Sequence, residues 1–395
     1  MPQQSTAVET EMTYGAMASK NQLMSQHLRP LMDVLVDHYT QAPAPQKPQN
    51  QEQVSSELTT LIEHISATDL GDENNTFFHQ LKDKIIAHSQ SLDLSARDSY
   101  MRLDCIPALL DELTPADAAS TLSRQTQTPY DVFMQVASLM LDVRVYGRGD
   151  LAAMMLNRYL KRSDDYAALD VLALYQALAA LRAIAQMPAS QTPAEEKGRQ
   201  NMIGRYLGLI PILLSPAKPV RCIAVGGLSG SGKSTLGKAL TGDVYAVHVR
   251  ADAVRKHIAG VPVMEQAPMR AYTEEMTAAT YVGMLERAKV AAAAGMNVII
   301  DGVHAKEEQR EAVEMFARKN DLAFTGLWCS VPFEVAKRRI ASRGHVSSQA
   351  DTEKQLLLDT GRVTWHRIDT LYATDQVVDR VMALMALGSA EEQAI

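Results

Sequence analysis

Residues 220–240 read VRCIAVGGLSGSGKSTLGKAL, and this stretch decides the fold. A short apolar run, 220–225, ends in glycines, and a helix-forming segment begins at Ser234. Between them, Gly227 to Ser234 satisfies G-x-x-x-x-G-K-[ST] at every fixed position. Glycine lacks the Cβ that would hold a phosphate away from the backbone. The loop N–H groups and the positive end of the following helix then face an anion. Gly227, Leu228, Ser229, Gly230, Ser231, Gly232, Lys233, Ser234 and Thr235 form the candidate phosphate cradle. In it Lys233 reaches the β- and γ-phosphates of ATP, and the Ser234 hydroxyl is a candidate Mg²⁺ ligand. The competing reading, a glycine-rich turn with a solvated lysine, is disfavoured by the strand before the loop and the helix after it.

Working toward the C-terminus, further strands are predicted at 244–249, 297–301 and 323–329. Helices are predicted at 234–240, 253–259, 269–294, 306–319 and 332–342. This alternation implies a parallel α/β sheet with helices on both faces. In such sheets ligands bind beyond the carboxyl ends of the strands. Asp301 closes the third strand and is a candidate Mg²⁺ ligand; its alternative is a cap on the next helix. Asp252 follows the second strand in Arg250-Ala-Asp252-Ala-Val-Arg255-Lys256. It is placed to accept the proton of an acceptor hydroxyl during phosphoryl transfer, or to cap a helix. Arg255, three residues on, shares its helix face and is a candidate contact to substrate or to the transferring group. Arg339 and Arg343 share another face, before a polar loop at 344–351. They read either as a lid over the nucleotide phosphates or as a solvated face. His304 is assigned no role.

Working toward the N-terminus, the pattern changes at Pro216 and Pro219. Residues 21–40 have helical apolar spacing, and 41–53 are rich in Gln, Pro and Ala and read as a linker. From 54 to 187 apolar residues recur at three- and four-residue steps, as in Leu58, Leu61, Ile62 and Ile65. A last helix is expected from 195 to about 214, with Pro211 near its end. The chain of 395 residues thus divides into a helical region, 1–215, and an α/β region, 220–395.

Composition excludes several classes. The 39 basic residues against 46 acidic ones leave a net charge of −7, which does not favour nucleic acid as a partner. The three cysteines, Cys105, Cys222 and Cys329, form no CxxC pair and suit a reducing compartment. The apolar stretch 168–187 is broken by Asp170 and Arg182, so no membrane partner is expected. The first twenty residues lack a basic-then-apolar leader pattern, and a cytoplasmic location is the expectation.

The motifs together carry a resemblance. Residues 226–236, the Arg250–Lys256 segment, Val298-Ile-Ile-Asp301, the arginine helix and Thr364-Trp365-His366 resemble the P-loop kinase domain related to zeta toxins. Gluconate kinases, adenylylsulfate kinases and 5′-hydroxyl polynucleotide kinases are similar in outline, and such domains are often called AAA-type ATPases. The likeness spans about 220–387. It implies that the acid at Asp252 serves as base or orients the acceptor hydroxyl, and that Arg255 contacts substrate. Residues 130–214 are similar to the helical lobe of aminoglycoside-phosphotransferase-like domains, through Tyr130-Asp131, Asp142, Leu156-Asn157-Arg-Tyr-Leu160 and Leu174-Tyr-Gln-Ala-Leu178. The His-Gly-Asp-x-His loop of that family is absent, and Asp104 lies too far before Asp131 for its register. A catalytically degenerate helical region is therefore expected, one that serves in substrate binding, assembly or regulation. A protein partner or a second copy of the chain is the candidate contact for it.

Two functions compete at this stage. One is an ATP- and Mg²⁺-dependent kinase acting on a small-molecule hydroxyl, with Asp252 as base, whether metabolic or toxic. The other is a regulatory ATP-binding protein whose helical half contacts a partner.

Overall fold

A computed structural model describes residues 13–41, 51–92, 94, 102–103, 130–215, 219–342 and 359–392. The chain separates into two compact units, Met1–Ala217 and Lys218–Ile395.

The first unit is helical. Among the described residues its helices are α1 (Tyr14–Ser19), α2 (Ser25–Gln41), α3 (Gln51–Ser66), α4 (Asp72–Ser91), α5 (Val132–Val145), α6 (Gly149–Ser163), α7 (Leu172–Ala185) and α8 (Pro193–Leu214). Every residue of α5 except Arg144 is buried, and α7 is nearly as enclosed. A helix that is apolar all round must be surrounded by other helices. This explains Tyr166–Ala185, a stretch long and apolar enough to cross a membrane, 83% of which is buried inside the protein. The sequence reading set it aside because of Asp170 and Arg182; in the structure it contributes to a helical core.

Two expectations for this unit change. A short antiparallel pair, β1 (Arg102–Leu103) with β2 (Tyr130–Asp131), interrupts the all-helical reading. Helix α8 starts at Pro193 because Thr192 and Glu195 form a reciprocal capping box ahead of it. Pro211 lies within α8, which runs on to Leu214. Of the expected linker 41–53, Gln41 ends α2 and 51–53 begin α3, while 42–50 lie outside the described residues, as do Asp104 and Cys105.

The second unit is a five-stranded parallel sheet with helices between its strands. Its strands are β3 (Arg221–Gly226), β4 (Ala246–Arg250), β5 (Asn297–Asp301), β6 (Ala323–Ser330) and β7 (His366–Asp369), in the spatial order β4-β5-β3-β6-β7. The helices are α9 (Lys233–Asp243), α10 (Ala251–Ile258), α11 (Glu274–Ala293), α12 (Glu307–Lys319), α13 (Phe333–Ala341) and α14 (Thr374–Glu392). Strand β3 is central and buried beyond its first residue, as expected of a parallel strand covered on both faces. On one face Ile223, Val225, Ile299 and Leu327 pack with Leu236 and Leu240 of α9 and with Val377, Val378, Val381 and Met385 of α14. On the other, Trp365 lies so close over Gly226 and Gly326 that a Cβ on Gly326 would come within 2.5 Å of the ring.

Element bounds shift for local reasons. Strand β4 begins at Ala246, not 244, because Val244 ends α9 and Tyr245 takes a positive φ of 46°. The single helix expected over 269–294 is broken. Met269–Tyr272 form a 3₁₀ turn, and the Thr273 hydroxyl accepts from Met276 N to start α11. Strand β7 and helix α14 were not expected at all.

Candidate active site

The sheet order reverses at β3, which has β5 on one side and β6 on the other. The crevice outside that reversal is where open α/β sheets bind ligands. The loop from Gly227 to Gly232 occupies it, and α9 begins at Lys233. Gly232 is the N-cap, with φ of 88°, and a Cβ there would lie 2.9 Å from the Thr370 hydroxyl oxygen. Gly227 has φ of 138°, and its Cβ would lie 2.5 Å from the carbonyl oxygen of Cys329. Both positions demand glycine, for conformation and for space. Gly227 N donates to Val303 O at 3.1 Å, and Gly302 N donates to Val225 O at 3.2 Å, tying the loop to the segment after β5. Inside the loop, the Ser231 hydroxyl is buried with no hydrogen-bond partner among the described residues.

Parallel register puts Asp301 beside both Val225 and Arg250. Its carboxylate is almost fully buried. His248 Nε2 lies 3.2 Å from Oδ2, and Arg250 Nε lies 3.6 Å from the same oxygen. Burial opposes ionisation of Asp301. The His248 hydrogen bond, with the charges of His248, Lys233 and Arg250, outweighs it and holds the carboxyl below the usual range. The capping alternative for Asp301 fails, because α12 starts six residues later behind Lys306. Gly237 makes room for His248, whose Nε2 would lie 2.8 Å from a Cβ there.

Asp252 sits in the first turn of α10, whose N-cap is Arg250, so its capping alternative fails too. Its side chain is half-exposed, 48%, and Lys256 Nζ lies 3.2 Å from Oδ2. Arg255, the candidate substrate contact, is engaged by its own neighbours. Its Nη1 donates to Ala271 O at 2.8 Å and to the Thr277 hydroxyl at 3.2 Å, and its guanidinium lies 5.0 Å from the centre of the Tyr272 ring. Steric and hydrogen-bonding demand from its own neighbours engages it.

Arg339 reaches the loop indirectly. It donates to the Thr370 hydroxyl at 3.3 Å and to Thr370 O at 2.8 Å, and the Thr370 hydroxyl donates to Ser231 O at 2.6 Å. A cavity of about 310 Å³ opens there, lined by Gly232, Thr235, Arg339, Thr370, Tyr372 and Val377 among others. It lies at the N-terminal end of α9. Arg343 and the predicted lid loop, 344–351, lie outside the described residues.

Several residues of the site escaped the sequence reading. His248 alternates with valines in Ala246–Arg250, and that polar interruption of a buried strand was the available signal. Thr370 and Tyr372 follow a strand that was not recognised. His304 is fully buried, with φ of 49° and neither ring nitrogen hydrogen-bonded among the described residues. It packs edge-on to Tyr281 and against Trp365. Burial lowers its pKa to about 4, so the ring is neutral near pH 7. Cys222 and Cys329 are buried, which pushes both thiols up to about 12 and leaves them inert.

A family model described as an AAA domain matches residues 223–360. Curated relatives include uncharacterized proteins of Mycobacterium tuberculosis strain H37Rv and of Mycobacterium bovis. Each is 28% identical over 325 residues, covering 80% of this chain and 63% of the relative. The chain thus spans less than two thirds of those relatives' length. The aligned share of this chain exceeds either unit alone, so the likeness runs through both. Among solved structures, a gluconokinase from Sinorhizobium meliloti is similar at 21% identity and a TM-score of 0.34, over 45% of this chain and 97% of that one. The APS kinase of Mycobacterium tuberculosis is similar at 17% identity and a TM-score of 0.35, over 44% and 99%. The second unit thus carries its phosphate loop on a five-stranded parallel sheet, and most of it matches the AAA domain model.

Proposed function

We propose that the second unit is an ATP-dependent phosphotransferase that moves the γ-phosphoryl group to a hydroxyl of a small molecule. The observation that carries this reading is Asp252: a half-exposed carboxylate just beyond the end of β4, on the same side of the sheet as the phosphate loop and held by Lys256. In the proposed reaction the acceptor oxygen attacks the γ-phosphorus in line. Its proton passes to Asp252 as the bond to the β-phosphate oxygen breaks and ADP leaves. Lys233 and the N–H groups at the start of α9 offset the charge that builds on the phosphoryl oxygens.

The donor set fits Mg²⁺. Magnesium is usually held by one or two protein oxygens together with phosphates and waters. Asp301, kept ionised, and the Ser234 hydroxyl at the start of α9 are the residues that would hold it. Bound there, the ion would supply positive charge against the phosphoryl group during transfer.

For the helical unit we infer a non-catalytic role. Each of its conspicuous buried acids is engaged in structure. Asp131 accepts from Phe133 N and from the Tyr175 hydroxyl, Asp142 from the Tyr206 hydroxyl, and Asp165 from the Tyr159 hydroxyl.

The test incubates the protein and its Asp252→Asn variant with γ-labelled ATP and a panel of sugars, nucleosides and 5′-hydroxyl oligonucleotides. Transfer of label to one of these by the wild type alone supports the reading. No labelled product from any acceptor, or equal transfer by Asp252→Asn, sinks it. ATP-dependent capture of a protein partner without turnover would favour the regulatory alternative instead.

A further inference from the structure

The segment between α10 and α11 carries an exposed apolar surface beside Asp252. Met264 is 67% exposed, Met269 71% and Tyr272 49%, and Ile258 at the end of α10 adds to them. These side chains do not ride on a loose loop. Val263, Ala267 and Ala271 turn inward and are buried. Two consecutive cations of α10 staple the loop at both ends. Lys256 Nζ donates to Val263 O at 3.1 Å while pairing with Asp252, and Arg255 holds Ala271 O and Thr277. The guanidinium of Arg255 also backs the Tyr272 ring. An aromatic ring fixed from behind by a cation is a stacking platform with little conformational freedom left to lose. Exposed methionines of the same segment can adapt to the outline of an apolar ligand.

The charges around this platform are mixed. Glu265, Glu274, Glu275 and Arg270 are exposed along the loop and the start of α11, and Glu274 pairs with Lys306 at 3.7 Å. Both cations of α10 nearest Asp252 are already engaged. The methionines and the Tyr272 ring therefore leave an apolar surface that suits an uncharged planar ring.

We propose that this loop is the acceptor platform of the phosphotransferase and that the acceptor carries an uncharged planar ring. The ring stacks on the open side of Tyr272, and a hydroxyl of the same molecule reaches Asp252. This inference rests on the phosphotransferase reading, and it adds the class of acceptor.

A matched pair of probes isolates the ring. Binding of 4-nitrophenyl β-glucoside and of methyl β-glucoside to the full-length protein is measured by saturation-transfer NMR and calorimetry. Saturating AMPPNP blocks the nucleotide cavity. The nitrophenyl compound is expected to bind at least ten times more tightly. Tyr272→Ala is expected to abolish that difference, and Tyr272→Phe to keep it within about twofold. Unchanged tryptophan emission verifies that each variant is folded. Equal affinity for the two probes, binding of neither, or a difference that survives Tyr272→Ala overturns the proposal. The same probes with γ-labelled ATP separate the two levels of inference. Ring- and Tyr272-dependent binding with no label transferred to either glucoside or to any acceptor of the panel supports the ring site and overturns the phosphotransfer reading. Label transferred to both glucosides with equal kcat/KM overturns the ring preference and keeps phosphotransfer.

Discussion

At the scale of single residues, the two carboxylates of the site differ because their surroundings differ. Asp301 is enclosed and bonded to His248, while Asp252 is half-exposed and paired with Lys256. A group that must meet a substrate hydroxyl needs access, and one that holds a cation needs fixed orientation. Asp252→Asn is therefore expected to lower kcat by about a hundredfold or more, the usual worth of a general base, with the KM for ATP changed by less than about threefold. Steady-state kinetics with a competent acceptor measures both. His304 makes a separate prediction about pH. Its folded pKa is lowered to about 4 from an ordinary value of 6.5, so the unfolded chain binds more protons between those values. Stability is then full above about pH 6.5 and is lost as pH falls toward 4, by on the order of 3 kcal/mol. Urea unfolding at pH 7 and pH 5, followed by tryptophan emission, checks this. His304→Asn should flatten the difference. Asp301 works in the other range: its stabilisation is present above about pH 4 and disappears only in stronger acid.

At the scale of elements, β6 and β7 show how packing selects sequence. Trp365 covers the sheet where Gly226 and Gly326 leave space, and its indole N–H donates to Glu314 of α12 at 2.8 Å. Gly326→Ala should cost about 1–3 kcal/mol through overpacking, read as a lower urea midpoint with an unchanged slope. Thr370 links Arg339 to the phosphate loop through one hydroxyl. Thr370→Val keeps the shape and removes that link, and should raise the KM for ATP by about fivefold to tenfold, the worth of one buried hydrogen bond. These elements were also the least legible in the sequence. Strand β7 buries one residue of four and so lacks the apolar run that marked β3. Helix α14 does carry a readable signal, Val377, Val378, Val381 and Met385, that the sequence reading did not follow. The break before α11 was readable as well, in Thr273-Glu274-Glu275.

At the scale of the molecule, both tryptophans, Trp328 and Trp365, belong to the second unit, so their emission reports on that unit alone. A ligand that binds only the folded unit stabilises it by mass action. AMPPNP with Mg²⁺ at about a hundred times its Kd should raise the tryptophan-detected unfolding free energy by about 2.7 kcal/mol. Lys233→Ala should reduce that gain to a small fraction. The sequence by itself determined the strand, phosphate loop and helix at 220–240, because those interactions run between residues close along the chain. It also marked Asp252 and Asp301, because strand ends are readable from short apolar runs. Only the tertiary structure decided what those groups touch. Asp301 meets His248 across 53 residues, and Thr370 meets Ser231 across 139. Arg255 clamps the loop before α11, because Ala271 and Thr277 arrive beside it. Such contacts depend on sheet order and register, which bring distant segments together, and no local pattern encodes them.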